Sequence, residues 1–388
     1  MTFLEKKNIE IIVECNQDKI ENTLKNIGNI KCYLPIINSY VVEIPYEQLD
    51  NLKNLNGIKT IYENTYITAQ MNSSRNIINC QCAYNEGLTG KNVTIAILDT
   101  GICPVDDFIK PKNRIIAFKD IINNKAKSYD DNGHGTHVAG IACGNGFMSN
   151  GLYKGIAYES NIVSIKVLDK NGKGDTAQVV SGIQWIIDNK KKYNIRIANL
   201  SIGSPISDSQ KDPLVKAVNY AWDHGIIMTI AAGNNGPQSS SITSPGVSKK
   251  VITVGGSNDS VDVTIWGNKY KNYSGRGPTS ECIIKPDVVA PSSNIISCLS
   301  KTANNIDLDK IVDKNYLKLS GTSMATPMIS GAIALLIQKY PHLSPNDVKY
   351  KLKFSTTDLG YSQNQQGWGL INIEKFISNN FTNEILPK

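Results

Sequence analysis

The sequence predicts an α/β protein in two parts: a large, mainly parallel sheet covered by helices on both faces, preceded by a small α+β unit. Three observations predict it. Short apolar runs at residues 93–98, 162–167, 197–200, 226–231 and 251–254 lack the alternation of a sheet with one wet face, which marks strands buried on both sides. Long helical patterns at residues 134–143, 176–191 and 213–223 lie between these runs, as a parallel sheet requires. The first 66 residues follow another rhythm, strand 9–14, helix 18–27, strands 30–34 and 39–44, helix 46–55 and strand 58–63, which is the β-α-β-β-α-β order of a ferredoxin-like unit.

Apolar periodicity then fades and polar residues take over from Asn64 to Ser74, so a linker is expected over residues 67–75 and the large domain over 76–388. A chain of 388 residues, 40% hydrophobic and 19% charged, has room for both domains and a substantial core. Its net charge of +7 comes from lysines scattered along the chain, and the four arginines (Arg75, Arg114, Arg196, Arg276) form no basic stripe, which excludes a nucleic-acid partner. The N-terminus carries no apolar run of the signal-peptide kind, and no segment is long and apolar enough to span a bilayer. The expectation is a cytoplasmic protein without a membrane partner. Eight cysteines without a regular framework fit reduced thiols, and Cys80-Gln81-Cys82 lacks the two further ligands of a structural zinc.

Four stretches carry candidate chemistry. In Leu319-Ser320-Gly321-Thr322-Ser323-Met324-Ala325-Thr326-Pro327, a lone serine stands where a loop becomes an apolar helix, and the N–H groups and positive dipole end there favour developing negative charge. Pro327 is expected in the first turn, where a missing N–H costs little. Asp99 ends a buried strand beside Gly101, at the edge where α/β sheets place their sites. In Asp130-Asp131-Asn132-Gly133-His134-Gly135-Thr136-His137, neither a Glu between the histidines nor a third ligand at helical spacing supports a metal. His134, flanked by glycines at a helix start, is placed to present its ring, and His137 one turn on to pack behind it. Asn234, in Ala231-Ala232-Gly233-Asn234-Asn235-Gly236-Pro237, would alone be a turn residue. Together Asp99, His134, Ser323 and Asn234 are the orienter, base, nucleophile and oxyanion donor of acyl transfer.

With these flanks and this order, the sequence resembles the subtilisin family of serine proteases from about Asn76 to Phe376, and most closely its bacterial AprX-type intracellular branch. The resemblance implies a subtilisin-like three-layer fold and a serine endopeptidase acting on proteins or peptides. Ser201-Ile202-Gly203 and Ala231-Ala232-Gly233 would wall the pocket for the residue before the cut, with Thr243 near its floor. Gly172-Lys173-Gly174 would pair with an extended substrate. The first 66 residues would be a prodomain, a folding template and inhibitor, removed by self-cleavage between about residues 66 and 70. Two positions depart from the family pattern: Tyr158 closes Gly155-Ile156-Ala157-Tyr158 where Gly-Val-Ala-Pro is usual, and Ser292 follows Pro291 where Gly is usual. Many relatives hold calcium in the loop at residues 145–151, but the residues here match its ligands poorly, so neither metal nor other cofactor is expected to be required.

Overall fold

The computed structural model describes residues 8–378 apart from 17–19, 54, 64–69, 205–210, 266 and 305. Residues Met1–Thr68 and Ala69–Lys388 are two compact units.

The first unit runs β1 (Asn8–Cys15), α1 (Glu21–Ile27), β2 (Asn29–Leu34), β3 (Ser39–Pro45), α2 (Leu49–Lys53) and β4 (Ile58–Glu63). Its antiparallel sheet has the order β2-β3-β1-β4, the ferredoxin-like arrangement. Alternate residues of β1 and β3 (Ile11, Val13, Val42, Ile44) meet Leu24 and Leu52 of the two helices in a core of their own. The second helix is shorter than its apolar pattern, because Tyr46–Gln48 wind as a 3₁₀ turn after Pro45.

In the second unit, residues 70–77 form a helix, Gln70–Ile77, where polar composition suggests a linker. Gln, Met and Arg favour helix whatever their polarity. The expected cleavage region at residues 66–69 lies outside the described residues. The main sheet uses β5 (Thr94–Asp99), β6 (Ile115–Asp120), β7 (Asn161–Lys166), β8 (Ile195–Leu200), β9 (Ile227–Ala231) and β10 (Ile252–Gly256). Its order is Thr356–Thr357, Leu370–Ile371, Val288–Ala290, β10, β9, β8, β5, β7, β6, parallel throughout except for the first pair. Helices His134–Cys143 and Thr322–Lys339 pack together, as do Thr176–Tyr193 and Pro213–Asp223, giving layers above and below the sheet. Helix Thr322–Lys339 is buried along nearly its whole length against β8, β9 and β10, the environment its continuous apolar sequence demands. A second, antiparallel sheet (Ile295–Cys298, Tyr316–Leu319, Ile311–Asp313) and a hairpin (Val263–Ile265, Asn268–Tyr270) complete the unit.

Candidate active site

Parallel pairing puts the carboxyl ends of β7, β5, β8 and β9 side by side on one edge of the sheet. Gly172-Lys173-Gly174 follows β7, Asp99 ends β5, Ser201-Ile202-Gly203 follows β8, and Ala232-Gly233-Asn234 follows β9. The sheet order thus sets these segments next to one another in space.

Asp99 is fully buried, and its Oδ1 accepts from the Thr100 N–H at 2.8 Å and from His134 Nδ1 at 2.7 Å. With its proton on Nδ1, His134 keeps its lone pair on Nε2. Burial alone would pull the His134 pKa down, but the Asp99 charge and hydrogen bond, with Asp130 adding, outweigh it and hold the imidazole above its ordinary 6.5.

Asp130 is the residue that sequence reasoning missed. Its buried carboxylate accepts from the N–H groups of Asn132, Gly133 and Thr136 and from the hydroxyls of Thr100 and Thr136, at 2.6–3.1 Å. It caps the start of the His134 helix and ties that start to the residue after Asp99. The capping signature asks for such a residue immediately before the helix, where Gly133 stands, so the pattern gives Asp130 no signal. Beneath it, the buried Lys166 ammonium bonds the Thr100 and Leu168 carbonyls and Asp131 Oδ1 at 2.6–2.9 Å. His137 is buried, its Nε2 lying 3.1 and 3.0 Å from the carbonyls of Ile295 and Leu317. Burial drives its pKa down to about 3, so it is a neutral packing residue.

Ser323 sits at the second position of helix Thr322–Lys339, at the helix start where the sequence puts it. Pro327 therefore lies inside the helix and past its first turn, a correction to the sequence reading. In an α-helix the N–H of residue 327 would bond the C=O of residue 323, and proline has none. The Ser201 hydroxyl supplies that bond instead, donating to the Ser323 carbonyl at 3.0 Å, while the Ser323 hydroxyl donates to the Ser201 carbonyl at 3.1 Å. Asn234 faces the same helix start: its Oδ1 accepts from the Thr322 N–H at 2.9 Å and hydroxyl at 3.1 Å, which turns its NH₂ group outward. Gly321, at φ 140°, is confined to glycine twice over, because a Cβ there would also stand 3.2 Å from Asn234 Nδ2. His134, Asn234, Ser323 and Met324 line one cavity, with Asp99 behind His134.

Thr243 is lodged between the two wall segments: a Cβ on Gly203 would lie 2.3 Å from its Oγ1, and one on Gly233 2.6 Å from its Cγ2. Its N–H donates to the Ala232 carbonyl at 3.0 Å. In Gly172-Lys173-Gly174 the Lys173 C=O accepts from Asp169 N–H at 2.8 Å and the Lys173 N–H donates to Asp169 Oδ1 at 2.9 Å. The Gly172 N–H likewise donates within this turn, to the Asp169 carbonyl at 3.0 Å.

The loop at 145–151 does not suit calcium, a hard cation that wants about six to eight free oxygens. Asn145 Oδ1 accepts from Phe147 N–H, and the Gly146 carbonyl accepts from Ser149 and Gly151. Asp107, the carboxylate beside the loop, has Met148 N–H on Oδ1 and the Tyr316 hydroxyl and Cys298 thiol on Oδ2. Burial first, and then the Asp107 charge among smaller influences, keeps the Cys298 proton in place. Protein donors thus occupy the carboxylate that a cation would need.

The subtilase family model of peptidases matches residues 90–369. The chain is 37% identical to serine protease AprX of Bacillus subtilis strain 168, over 96% of this chain and 88% of that one. It is 34% identical to a thermostable alkaline protease of Halalkalibacterium halodurans, over 87% and 82% of the two chains. The crystal structure of a cold adapted subtilisin-like serine proteinase superposes with a TM-score of 0.56 at 30% identity, covering 74% of this chain and 88% of that one. The CspB protease of Clostridium perfringens shares the fold, with a TM-score of 0.66 at 19% identity over 79% and 98%. The chain belongs to the subtilase family and is a subtilisin-like serine endopeptidase.

Proposed function

We propose that the chain hydrolyses peptide bonds through an acyl-enzyme on Ser323 and that it is made as a self-processing zymogen. The observation that carries the reading is the 2.7 Å Asp99–His134 contact in a cleft shared with Ser323 and Asn234. Ser323 Oγ leaves the Ser201 carbonyl, passes its proton to His134 Nε2 and attacks the scissile carbonyl carbon. The resulting oxyanion is met by the Asn234 NH₂ and the Ser323 N–H, since the N–H groups of Thr322 and Met324 donate to Asn234 and to the Gly321 carbonyl. His134 then gives its proton to the leaving amine, and water, activated by the same imidazole, frees the acid product. Asp99 keeps the imidazole in the required tautomer throughout. Mass spectrometry of the purified protein with a fluorophosphonate probe tests the nucleophile: one adduct on Ser323 is expected, and an unlabelled serine in a folded, mature protein counts against the mechanism.

Because the base works as neutral imidazole and its pKa is raised, kcat/KM should climb with pH along an acid limb centred above pH 6.5. A pH profile whose acid limb falls below 6.5 would contradict the Asp99–His134 coupling.

The pocket bounded by Ser201, Ile202, Gly203, Ala231, Ala232, Gly233 and Thr243 offers backbone, small and apolar groups without a carboxylate, so an apolar or aromatic residue should be preferred before the cut. Profiling against a peptide library checks this, and dominant cleavage after Lys or Arg would rule it out.

No cation is required in this reading, since the 145–151 loop is closed by protein donors. Brief chelation should leave peptidase activity intact. Activity lost on chelation and restored by calcium would reverse that conclusion.

The first unit, with its own core and ferredoxin-like sheet, supports the role of a prodomain that templates folding and then inhibits. A large parallel sheet assembled from distant segments folds slowly unaided, which gives a template something to do. No helix among the described residues is long and apolar enough to cross a membrane. We place the enzyme in the cytoplasm, acting on protein and peptide substrates, with its own first unit as its other partner and neither nucleic acid nor membrane among them.

A further inference from the structure

Three polar side chains lie where helix Thr322–Lys339 packs on the sheet: Asn199 of β8, Thr229 of β9 and Ser330 of the helix itself, all fully buried. Buried polar groups persist where they are paired, and these three are paired with one another. Ser330 Oγ donates to Asn199 Oδ1 at 2.9 Å, Thr229 Oγ1 lies 2.6 Å from Ser330 Oγ, and Asn199 Nδ2 donates to the Ser201 hydroxyl oxygen at 3.0 Å. We propose that Asn199 is a positioning residue for the nucleophile: through the Ser201 hydroxyl it fixes the Ser323 carbonyl, and so holds the proline-interrupted start of the helix in the geometry of attack.

The inference rests on the acyl-transfer reading above, in which Ser323 supplies both the attacking oxygen and an oxyanion N–H. Pro327 leaves the Ser323 carbonyl to the Ser201 hydroxyl. A hydroxyl has a single proton, so once it is given to that carbonyl the Ser201 oxygen can only accept. Asn199 Nδ2 is the donor that meets it, which orients the amide and turns its Oδ1 to Ser330. The Ser330 proton is then committed to Asn199, its other acceptor, the Thr326 carbonyl, being farther at 3.3 Å. Thr229 in turn donates to Ser330, its alternative being the Ala198 carbonyl at 3.3 Å. The hydrogen bonds thus all run one way, from Thr229 through Ser330, Asn199 and Ser201 to the Ser323 carbonyl. Bonds aligned in series in a dry interior polarise and strengthen one another. Without the Asn199 donor, the Ser201 hydroxyl is free to rotate, and the peptide that follows Ser323 loses the one partner that stops it from tilting. A tilt there carries the Ser323 side chain and N–H with it.

The experiment is a double-mutant cycle on the purified full-length protein, with kcat expressed per site titrated to completion by the fluorophosphonate, so that unfolded molecules do not count. Asn199→Leu keeps the shape of the side chain and removes its hydrogen bonds. It should lower kcat by about 10- to 100-fold, up to the scale of an ångström-sized misplacement, and leave KM within about twofold. Ser201→Ala should do the same, and Asn199→Leu added to Ser201→Ala should lower kcat no further, because the amide acts through that hydroxyl. A residue that only supports the fold would lower Tm and leave kcat per site alone. Ser330→Ala is a milder change that takes the donor from Asn199 Oδ1, and in the same cycle it should lower kcat in the wild-type background and not beside Ser201→Ala; it decides the matter if Asn199→Leu does not fold. Unchanged kcat per site, or losses that multiply in the double variants, in protein that still labels on Ser323 overturns this inference alone. Wild-type protein that neither labels nor cleaves overturns the acyl-transfer reading and this inference with it.

Discussion

Ser323→Ala should fold, remain a single uncut chain, and lose peptidase activity by about six orders of magnitude, the scale known for subtilisin itself when its nucleophile is removed. Deleting one oxygen leaves the packing of a helix buried from Thr322 to Ile337 intact, so the loss is chemical. Of the two hydrogen bonds between Ser201 and Ser323, only the one donated by the Ser323 hydroxyl is lost, and the Ser201 hydroxyl still reaches the backbone carbonyl at position 323. The same substitution tests self-processing. Wild-type protein should separate into two fragments, with the new N-terminus between about residues 66 and 70, and the variant should show none. N-terminal sequencing of both decides it: the same cut in Ser323→Ala, prepared free of other proteases, means that another enzyme does the processing.

Asn234→Ala should lower kcat by about 10²–10³ and leave KM nearly unchanged, a magnitude carried over from the equivalent asparagine of subtilisin. The geometry explains the separation of the two constants. Thr322 holds the Asn234 carbonyl oxygen through its N–H and its hydroxyl, so the NH₂ group is fixed before substrate arrives. A neutral ground-state carbonyl gains little from that donor, and a full oxyanion gains much. Steady-state kinetics on one good peptide measures it. A variant that changed only KM would assign Asn234 to substrate binding and leave the oxyanion to other donors.

The sequence made the site readable wherever chemistry dictates residue type. Asp99, His134, Asn234 and Ser323 stand out because each sits at a strand end or helix start with glycine beside it, and the structure brings the last three into one cavity with Asp99 behind. The buried strands were legible for the same reason that they are buried, as apolar runs. Ile115–Asp120 was not, since a sheet-edge strand keeps Lys119 and Asp120 in its apolar company. The pairs that close the other edge are two residues long and carry no period at all. Asp130 and Ser201 show a different limit. Their importance lies in which backbone groups they satisfy, and that is fixed by tertiary contact: Ser201 matters because Pro327 takes away one donor on a helix that meets it from far along the chain.

The place of that helix has a consequence for biosynthesis. Asp99, His134, Asn234 and the segments around Thr243 all precede helix Thr322–Lys339, and translation delivers it late. A chain still on the ribosome, complete through β10, holds every other group of the proposed acyl transfer but not Ser323. It also lacks the apolar rod that covers one face of β8, β9 and β10, so one face of the sheet that would align those groups stays uncovered. In the acyl-transfer reading, the nucleophile and the apolar cover of β8, β9 and β10 arrive with the same stretch of chain, so a truncated product carries neither.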